Sequence, residues 1–319
     1  MKKLVLLFPG QGSQYVSMGS NLPQEAINFF SIASEVLDID LRDLCFNGPQ
    51  ETLNLTKYTQ PALLTHSMAL AHMLLNEIPE ENVSKVIGHS IGEYSALCCA
   101  GVFDLKTAVS LVHNRGLFMQ EAVPAEKGAM YALLKVPAEK INEIINSVKT
   151  KNESFSVQIA NYNAEQQIVI SGLKEDCEEF IKALEEKMET PYKAVPLKVS
   201  APFHCKLMMP AQEKMQKLLN TTNFNPNKFD YIANIDANVY PINTSTENIK
   251  SNLIKQVTGS VLFYPSLNHF DEDCLYVEVG AGKVLSNILR KYNRSFKVVP
   301  LDSENFGETI KDIKGLMNE

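Results

Sequence analysis

Residues 82–97 read Asn-Val-Ser-Lys-Val-Ile-Gly-His-Ser-Ile-Gly-Glu-Tyr-Ser-Ala-Leu. The apolar, β-prone run Asn82–Ile87 passes straight into Gly88-His89-Ser90-Ile91-Gly92 and then into helix-forming residues from Glu93 onward. Glycines at both ends of that pentapeptide permit a tight strand-to-helix turn, which lifts the Ser90 hydroxyl to the top of a sheet. The helix start beneath it favours negative charge, so an oxyanion formed when Ser90 attacks an acyl group would be stabilised there. The bland alternative is an ordinary glycine-rich turn, since G-x-S-x-G also arises by chance. The strand before it and the helix after it favour the nucleophile.

Working outward, apolar β-rich runs alternate with amphipathic helical stretches along nearly the whole chain, which indicates an α/β protein. Leu4–Phe8 reads as a buried strand ending at Pro9-Gly10-Gln11-Gly12-Ser13-Gln14, and residues 105–121 read as a helix capped by Asp104. Residues 128–136 form a strand and 137–150 a helix opening at Pro137. Two strands, 155–160 and 167–171, flank a hairpin-like turn at Asn161-Tyr162-Asn163, followed by a helix over 173–190 and a strand over 192–199. That β-α-β-β-α-β order is the ferredoxin-like split unit, here placed as an insert within a longer chain. Beyond it the pattern predicts helices near 208–219, 247–257 and 260–270, and strands near 230–235 and at Leu275–Val279. A helix over Lys283–Tyr292, a short strand and a polar helix close the sequence.

The chain has 319 residues, a prior of roughly two domains or one large one. Hydrophobic residues make up 45%, enough for a sizeable core, and 30 Lys+Arg against 37 Asp+Glu leave a net charge of −7. That balance, with no basic run, argues against nucleic acid and against an anionic membrane as partners. Six cysteines without C-x-x-C spacing suggest free thiols in a reducing compartment. The apolar run after Lys2-Lys3 is too short for a secretory signal, and no run approaches a membrane span. A cytoplasmic monomer is expected.

A serine nucleophile needs a base. Of the histidines, His66, His72 and His113 fall in helical patterns where bland roles suffice, and His89 adjoins the nucleophile on a turn whose side chains diverge. His204 lies on a loop, Ser200-Ala201-Pro202-Phe203-His204, and ranks above His269 by position alone. Arg115 stands in an otherwise apolar helix. Its planar fork suits a carboxylate, with a structural ion pair as the default alternative. Phosphate-loop readings fail at Gly10–Tyr15, where the third glycine is missing, and at Gly280-Ala281-Gly282-Lys283.

These segments together resemble the acyltransferase family of fatty acid synthesis. The resemblance rests on Phe8–Gln14, Gly88–Glu93, Arg115-Gly116 with Met119-Gln120, Ser200–His204 and Gly280–Leu285, in family order over essentially the whole chain. It implies malonyl transfer from malonyl-CoA to the phosphopantetheine thiol of acyl carrier protein, with no cofactor and no metal. Ser90 would be the acylated nucleophile and His204 its base, with the N–H groups of Gln11 and Ile91 as oxyanion hole. Arg115 would hold the malonyl carboxylate, with Met119 and His89 also at the substrate. The main-chain carbonyl of Gln256 would orient His204. The implied fold is an α/β-hydrolase-like large domain with a parallel sheet, residues 1–125 and 200–319, interrupted by the ferredoxin-like domain 126–199. Lys193, Lys198, Lys206, Lys214 and Lys217 offer a basic patch for an acidic carrier protein, or are solvated surface. Two rivals remain: a serine hydrolase of the α/β-hydrolase type, and a non-catalytic module that binds carrier protein.

Overall fold

The alternating pattern folds into two separate sheets in the computed structural model, which describes every residue except Ala125 and Ser303. The strands in chain order are β1 (Lys3–Phe8), β2 (Val83–Gly88), β3 (Gly128–Leu134), β4 (Gln158–Ala164), β5 (Gln167–Leu173), β6 (Lys193–Pro196), β7 (Asp230–Ile232), β8 (Val239–Tyr240), β9 (Cys274–Val279) and β10 (Lys297–Leu301). The larger sheet is mixed, in the order β10-β9-β1-β2-β7-β8, parallel throughout except for the antiparallel pair β7–β8. The smaller sheet runs β4-β5-β3-β6 and is wholly antiparallel.

β1 shows why the large sheet sits where it does. Leu4 to Phe8 are all buried without alternation, as a central parallel strand covered on both faces requires. Leu4, Leu6 and Phe8 face one core, packed with helices Gln24–Leu37, Thr56–Glu77, Ile91–Cys99 and Leu105–Glu121. Val5 and Leu7 face the other, under Leu285, Ile288 and Leu289 of helix Val284–Tyr292. Each side chain so buried contributes roughly 1.5–3 kcal/mol, which makes this strand the axis of the large sheet. The small sheet has its own core, closed by Ile141, Ile144 and Ile145 of helix Ala138–Lys149 and by Cys177, Phe180 and Leu184 of helix Lys174–Lys187. The expected boundary at residue 125 falls on Ala125, outside the described residues. All six cysteines are free and buried.

Three local expectations are corrected. Asn161-Tyr162-Asn163 is not the hairpin turn. These residues lie within β4, and the turn is Glu165-Gln166. The asparagines are there to bulge the strand and face the large domain, since β4 shifts register at Ile159/Asn161 and again at Tyr162/Ala164. Residues 260–270 are not one helix. Val261 is extended, exchanging main-chain hydrogen bonds with Tyr162 N–H (2.9 Å) and Ala160 O (2.8 Å) and so tying the sheets together, before short turns at Phe263–Ser266 and Leu267–His269. The strand expected over 230–235 stops at Ile232, because Asn234 leaves the sheet to serve the site below.

Among the described residues no helix is long and apolar enough to cross a membrane. The turn after β2 is packed backbone against backbone: a Cβ on Gly92 would stand 2.1 Å from the Phe8 carbonyl oxygen, and one on Gly88 1.9 Å from the Gly92 carbonyl carbon. Neither neighbour is a flexible side-chain end. Gly92→Ala is expected to lower stability by about 3 kcal/mol, the upper range for overpacking, read as a shift of the urea midpoint.

Candidate active site

Ser90 sits between β2 and helix Ile91–Cys99 at φ 54°, ψ −108°, a backbone conformation that a residue with a Cβ seldom adopts. Such a conformation costs on the order of 1–3 kcal/mol and persists only where its surroundings enforce it. Here they do so through both flanking peptide groups. The Ser90 N–H donates to Asn234 Oδ1 (2.7 Å), and the Ser90 carbonyl accepts from Gln256 Nε2 (2.9 Å). Asn234 is itself fixed by donating Nδ2–H to the Gly88 carbonyl (2.7 Å). The Ile91 N–H opens the helix, where no intrahelical acceptor exists for it.

His204 lies on the loop after β6, also at positive φ (57°), and is 4% exposed. Its Nε2 is 2.7 Å from Ser90 Oγ and its Nδ1 is 2.9 Å from the Gln256 main-chain oxygen. A carbonyl can only accept, so Nδ1 carries the proton and Nε2 presents its lone pair to the serine hydroxyl. The carbonyl is available because Gln256 ends helix Thr246–Gln256, and the last turn's oxygens lack helical partners. Burial first, and the Arg115 charge second, push His204 down to about 3, so the ring is a neutral base at neutral pH.

Arg115 projects from the middle of helix Leu105–Glu121 and is 1% exposed. Its Nη1 donates to Gln60 Oε1 (2.9 Å), and its Nη2 to Gln256 Oε1 (2.9 Å) and Ser90 Oγ (3.2 Å). The Tyr94 ring lies 5.5 Å below the guanidinium. Nε has no hydrogen-bond partner, and no carboxylate forms an ion pair with Arg115 among the described residues. A buried cation whose direct hydrogen bonds all go to neutral groups is expensive to keep, the acid Glu93 reaching it only across Gln256, and it is placed beside a serine hydroxyl.

The remaining expected residues are near but not all within this cluster. Met119, one helical turn from Arg115, reaches it through Gln60, whose Nε2 is 3.9 Å from the thioether sulfur. Gln11 places its side chain on Thr56 Oγ1 (3.2 Å), which lies 2.7 Å from Ser200 Oγ. His89 turns away from Ser90, with Nε2 2.8 Å from Asn163 Oδ1 and its ring tilted against Phe263. Gln11 and His89 both line a cavity of about 150 Å³ between the two sheets, together with Asn161, Asn163, Leu197 and Val284. A roomier depression of about 540 Å³ near Ser31, Asp38 and Arg42 holds none of these residues.

Sequence reasoning passed over Gln60, Asn234, Glu93 and Asn163. A faint signal did exist: Gln60 and Glu93 carry an amide and a carboxyl in stretches whose other buried residues are apolar, aromatic, hydroxyl-bearing or small, and both are buried, 2% and 1% exposed. His113 has a structural task. Pro61 supplies no N–H to the Lys57 carbonyl four residues back in helix Thr56–Glu77, and His113 Nδ1 meets that oxygen at 2.9 Å instead.

The profile of the acyl transferase domain family matches residues 5–317, and the chain belongs to that family. A malonyl CoA-acyl carrier protein transacylase of Bacillus subtilis strain 168 is 39% identical over 98% of each chain. The crystal structure of an acyl-carrier-protein-S-malonyltransferase from Bartonella henselae superposes with a TM-score of 0.90 at 34% identity, covering 99% of this chain and 100% of that one. A malonyl-transacylase solved in complex with a type II polyketide acyl carrier protein matches with a TM-score of 0.88 at 34% identity, over 99% and 100% of the two chains.

Removing the His113 ring strands a carbonyl between two packed helices. His113→Ala should cost about 1 kcal/mol of stability by urea unfolding, the lower end of the penalty for an unsatisfied acceptor, since this one is half-buried.

Proposed function

We propose that this protein transfers the malonyl group from malonyl-CoA to the phosphopantetheine thiol of acyl carrier protein, through an ester on Ser90, in support of fatty acid synthesis. The observation that carries this reading is the buried guanidinium of Arg115, with no carboxylate at ion-pair distance among the described residues, 3.2 Å from a serine hydroxyl that is 2.7 Å from a neutral imidazole. A malonyl thioester brings the missing carboxylate on one end and the acyl carbon on the other. The names of the relatives speak for the same chemistry.

In the first half-reaction the Ser90 hydroxyl gives its proton to His204 Nε2 as Oγ attacks the thioester carbon. The negative charge passes to the carbonyl oxygen, held by the N–H groups of Gln11 and Ile91. Collapse expels CoA, whose sulfur takes the proton from Nε2. In the second half the carrier's thiol yields its proton to Nε2 as its sulfur attacks the ester carbon, and collapse breaks the bond to Ser90 Oγ, which takes that proton back from Nε2. Between the halves water must be kept out, and the burial of His204 and Arg115 on either side of the Ser90 hydroxyl favours this. The steps use the side chains of Ser90 and His204 and main-chain N–H groups, with malonyl-CoA as substrate. On this reading residues 1–125 with 200–319 form the α/β-hydrolase-like body and 126–199 the ferredoxin-like one, in line with the separate sheets and cores. Exposed Lys198 and Lys206 near the cleft offer an acidic carrier protein a docking edge, whereas Lys214 is engaged with Glu121 at 3.0 Å. Nothing favours the hydrolase reading: the group facing His204 Nδ1 is a main-chain carbonyl and not a carboxylate.

Mixing the protein with malonyl-CoA should leave a malonyl adduct on Ser90, seen by peptide mass spectrometry, that a carrier-protein thiol discharges faster than water does. An unmodified serine would sink the proposal. Arg115→Ala should weaken malonyl-CoA use by roughly 2–4 kcal/mol while relaxing preference toward acetyl-CoA. Equal loss for both substrates would remove Arg115 as the carboxylate reader.

The base acts neutral, and it is neutral above its pKa. With His204 held down to about 3, acylation of Ser90 should stay within about threefold from pH 8 to pH 5 in rapid-quench kinetics. A histidine of ordinary pKa would lose about thirtyfold over that range.

A further inference from the structure

One buried acid takes no part in the steps above. Glu93 lies in the first turn of helix Ile91–Cys99, where a carboxylate normally reaches water, yet it is 1% exposed. Its Oε2 accepts from Gln256 Nε2 (2.7 Å) and from the Asn234 N–H (3.2 Å), while Oε1 has no partner among the described residues. Burial pushes its carboxyl up to about 7. Keeping such a group inside the protein is costly unless its contacts are needed.

Those contacts run to the reacting centre in one step. The other Gln256 Nε2 proton is donated to the Ser90 carbonyl (2.9 Å), and Gln256 Oε1 accepts from Arg115 Nη2 (2.9 Å). A side-chain amide can be seated either way round, and its shape does not decide which. Glu93 Oε2 accepts at the shorter distance (2.7 Å) and, together with the Ser90 carbonyl, fixes the NH₂ end on its own side and leaves the oxygen end for the guanidinium. Seated in reverse, the amide would set N–H against N–H and push Arg115 away from Ser90.

We propose that Glu93 is a positioning residue: by accepting from Gln256 it sets the direction of that amide, and so holds the Arg115 guanidinium where an acyl group bearing a carboxylate is selected. The proposal rests on the reading of Arg115 as the carboxylate binder. It assigns the effect to an oriented acceptor and not to charge, since an amide oxygen or the carbonyl of a protonated acid accepts in the same place.

The test is the ratio of kcat/KM for malonyl-CoA to that for acetyl-CoA, which is independent of the fraction of enzyme that is active. Glu93→Leu should lower that ratio at least about tenfold, chiefly by raising KM for malonyl-CoA. Glu93→Asp, one methylene short of the amide, should do the same with charge retained, and it carries the test if the leucine variant does not fold. Glu93→Gln should keep the ratio within about threefold of the parent. A ratio unmoved in Glu93→Leu or Glu93→Asp assigns Glu93 to structure alone and overturns the proposal, and a collapse in Glu93→Gln equal to that in Glu93→Leu overturns it in favour of charge. Arg115→Ala separates the levels. If it leaves the ratio intact, the reading of Arg115 itself fails; if it collapses the ratio while the Glu93 variants do not, only the role of Glu93 falls.

Discussion

The Ser90 backbone is held in a conformation it would leave if released, and much of the molecule is arranged around that fact. Two side chains from distant segments, Asn234 and Gln256, grip the peptide groups on either side of it, each by one hydrogen bond of 2.7–2.9 Å. Two glycines let the turn pass within contact of β1. The strain is therefore carried by tertiary structure, with β1, the helix ending at Gln256 and the loop after β7 all converging on one residue. The same clamp serves the imidazole: Gln256 holds the serine with its side chain and His204 with its main chain. A shift in that helix end would displace the Ser90 hydroxyl and the His204 ring together.

Charge inside the site follows a different logic. Arg115 is packed among amides, a hydroxyl and an aromatic face, all of which stabilise it weakly, while its strongest natural partner is withheld. Its positive field depresses the basicity of His204 in addition to the effect of burial. The pair thus share one constraint: the imidazole stays unprotonated beside a cation, which keeps it ready to accept from the serine.

The fold was legible where physical chemistry is local. A run such as Leu4–Phe8, apolar at every position, has few readings other than a buried strand, and G-x-S-x-G between a strand and a helix has few other than a sharp turn. Reading failed where a polar residue's partner is far along the chain. Asn161 and Asn163 carry the composition of a turn, and only contact with Val261 and His89 explains their place in a strand. Gln60, Asn234 and Glu93 form a neutral and acidic scaffold whose members are 33 to 174 residues apart in sequence; no spacing rule joins them. Ser90 can be singled out from its turn, whereas His204 ranks above His269 by position alone and Arg115 stands against a structural ion pair, and both take their expected roles from the family resemblance. An amide or a buried carboxyl does not announce its task.

The six buried cysteines acquire a meaning in this setting. Burial pushes every one of these thiols up, including Cys205, the immediate neighbour of His204, whose Sγ lies 3.1 Å from the Pro202 carbonyl. A reaction that expels one thiol and admits another exposes its catalyst repeatedly to sulfur nucleophiles and, under oxidation, to their disulfides. Exchange begins with a thiolate, and this protein keeps its own sulfurs protonated and out of reach. On the proposed route through Ser90, an acyl group could pass to sulfur after sulfur without the protein itself being drawn into disulfide traffic.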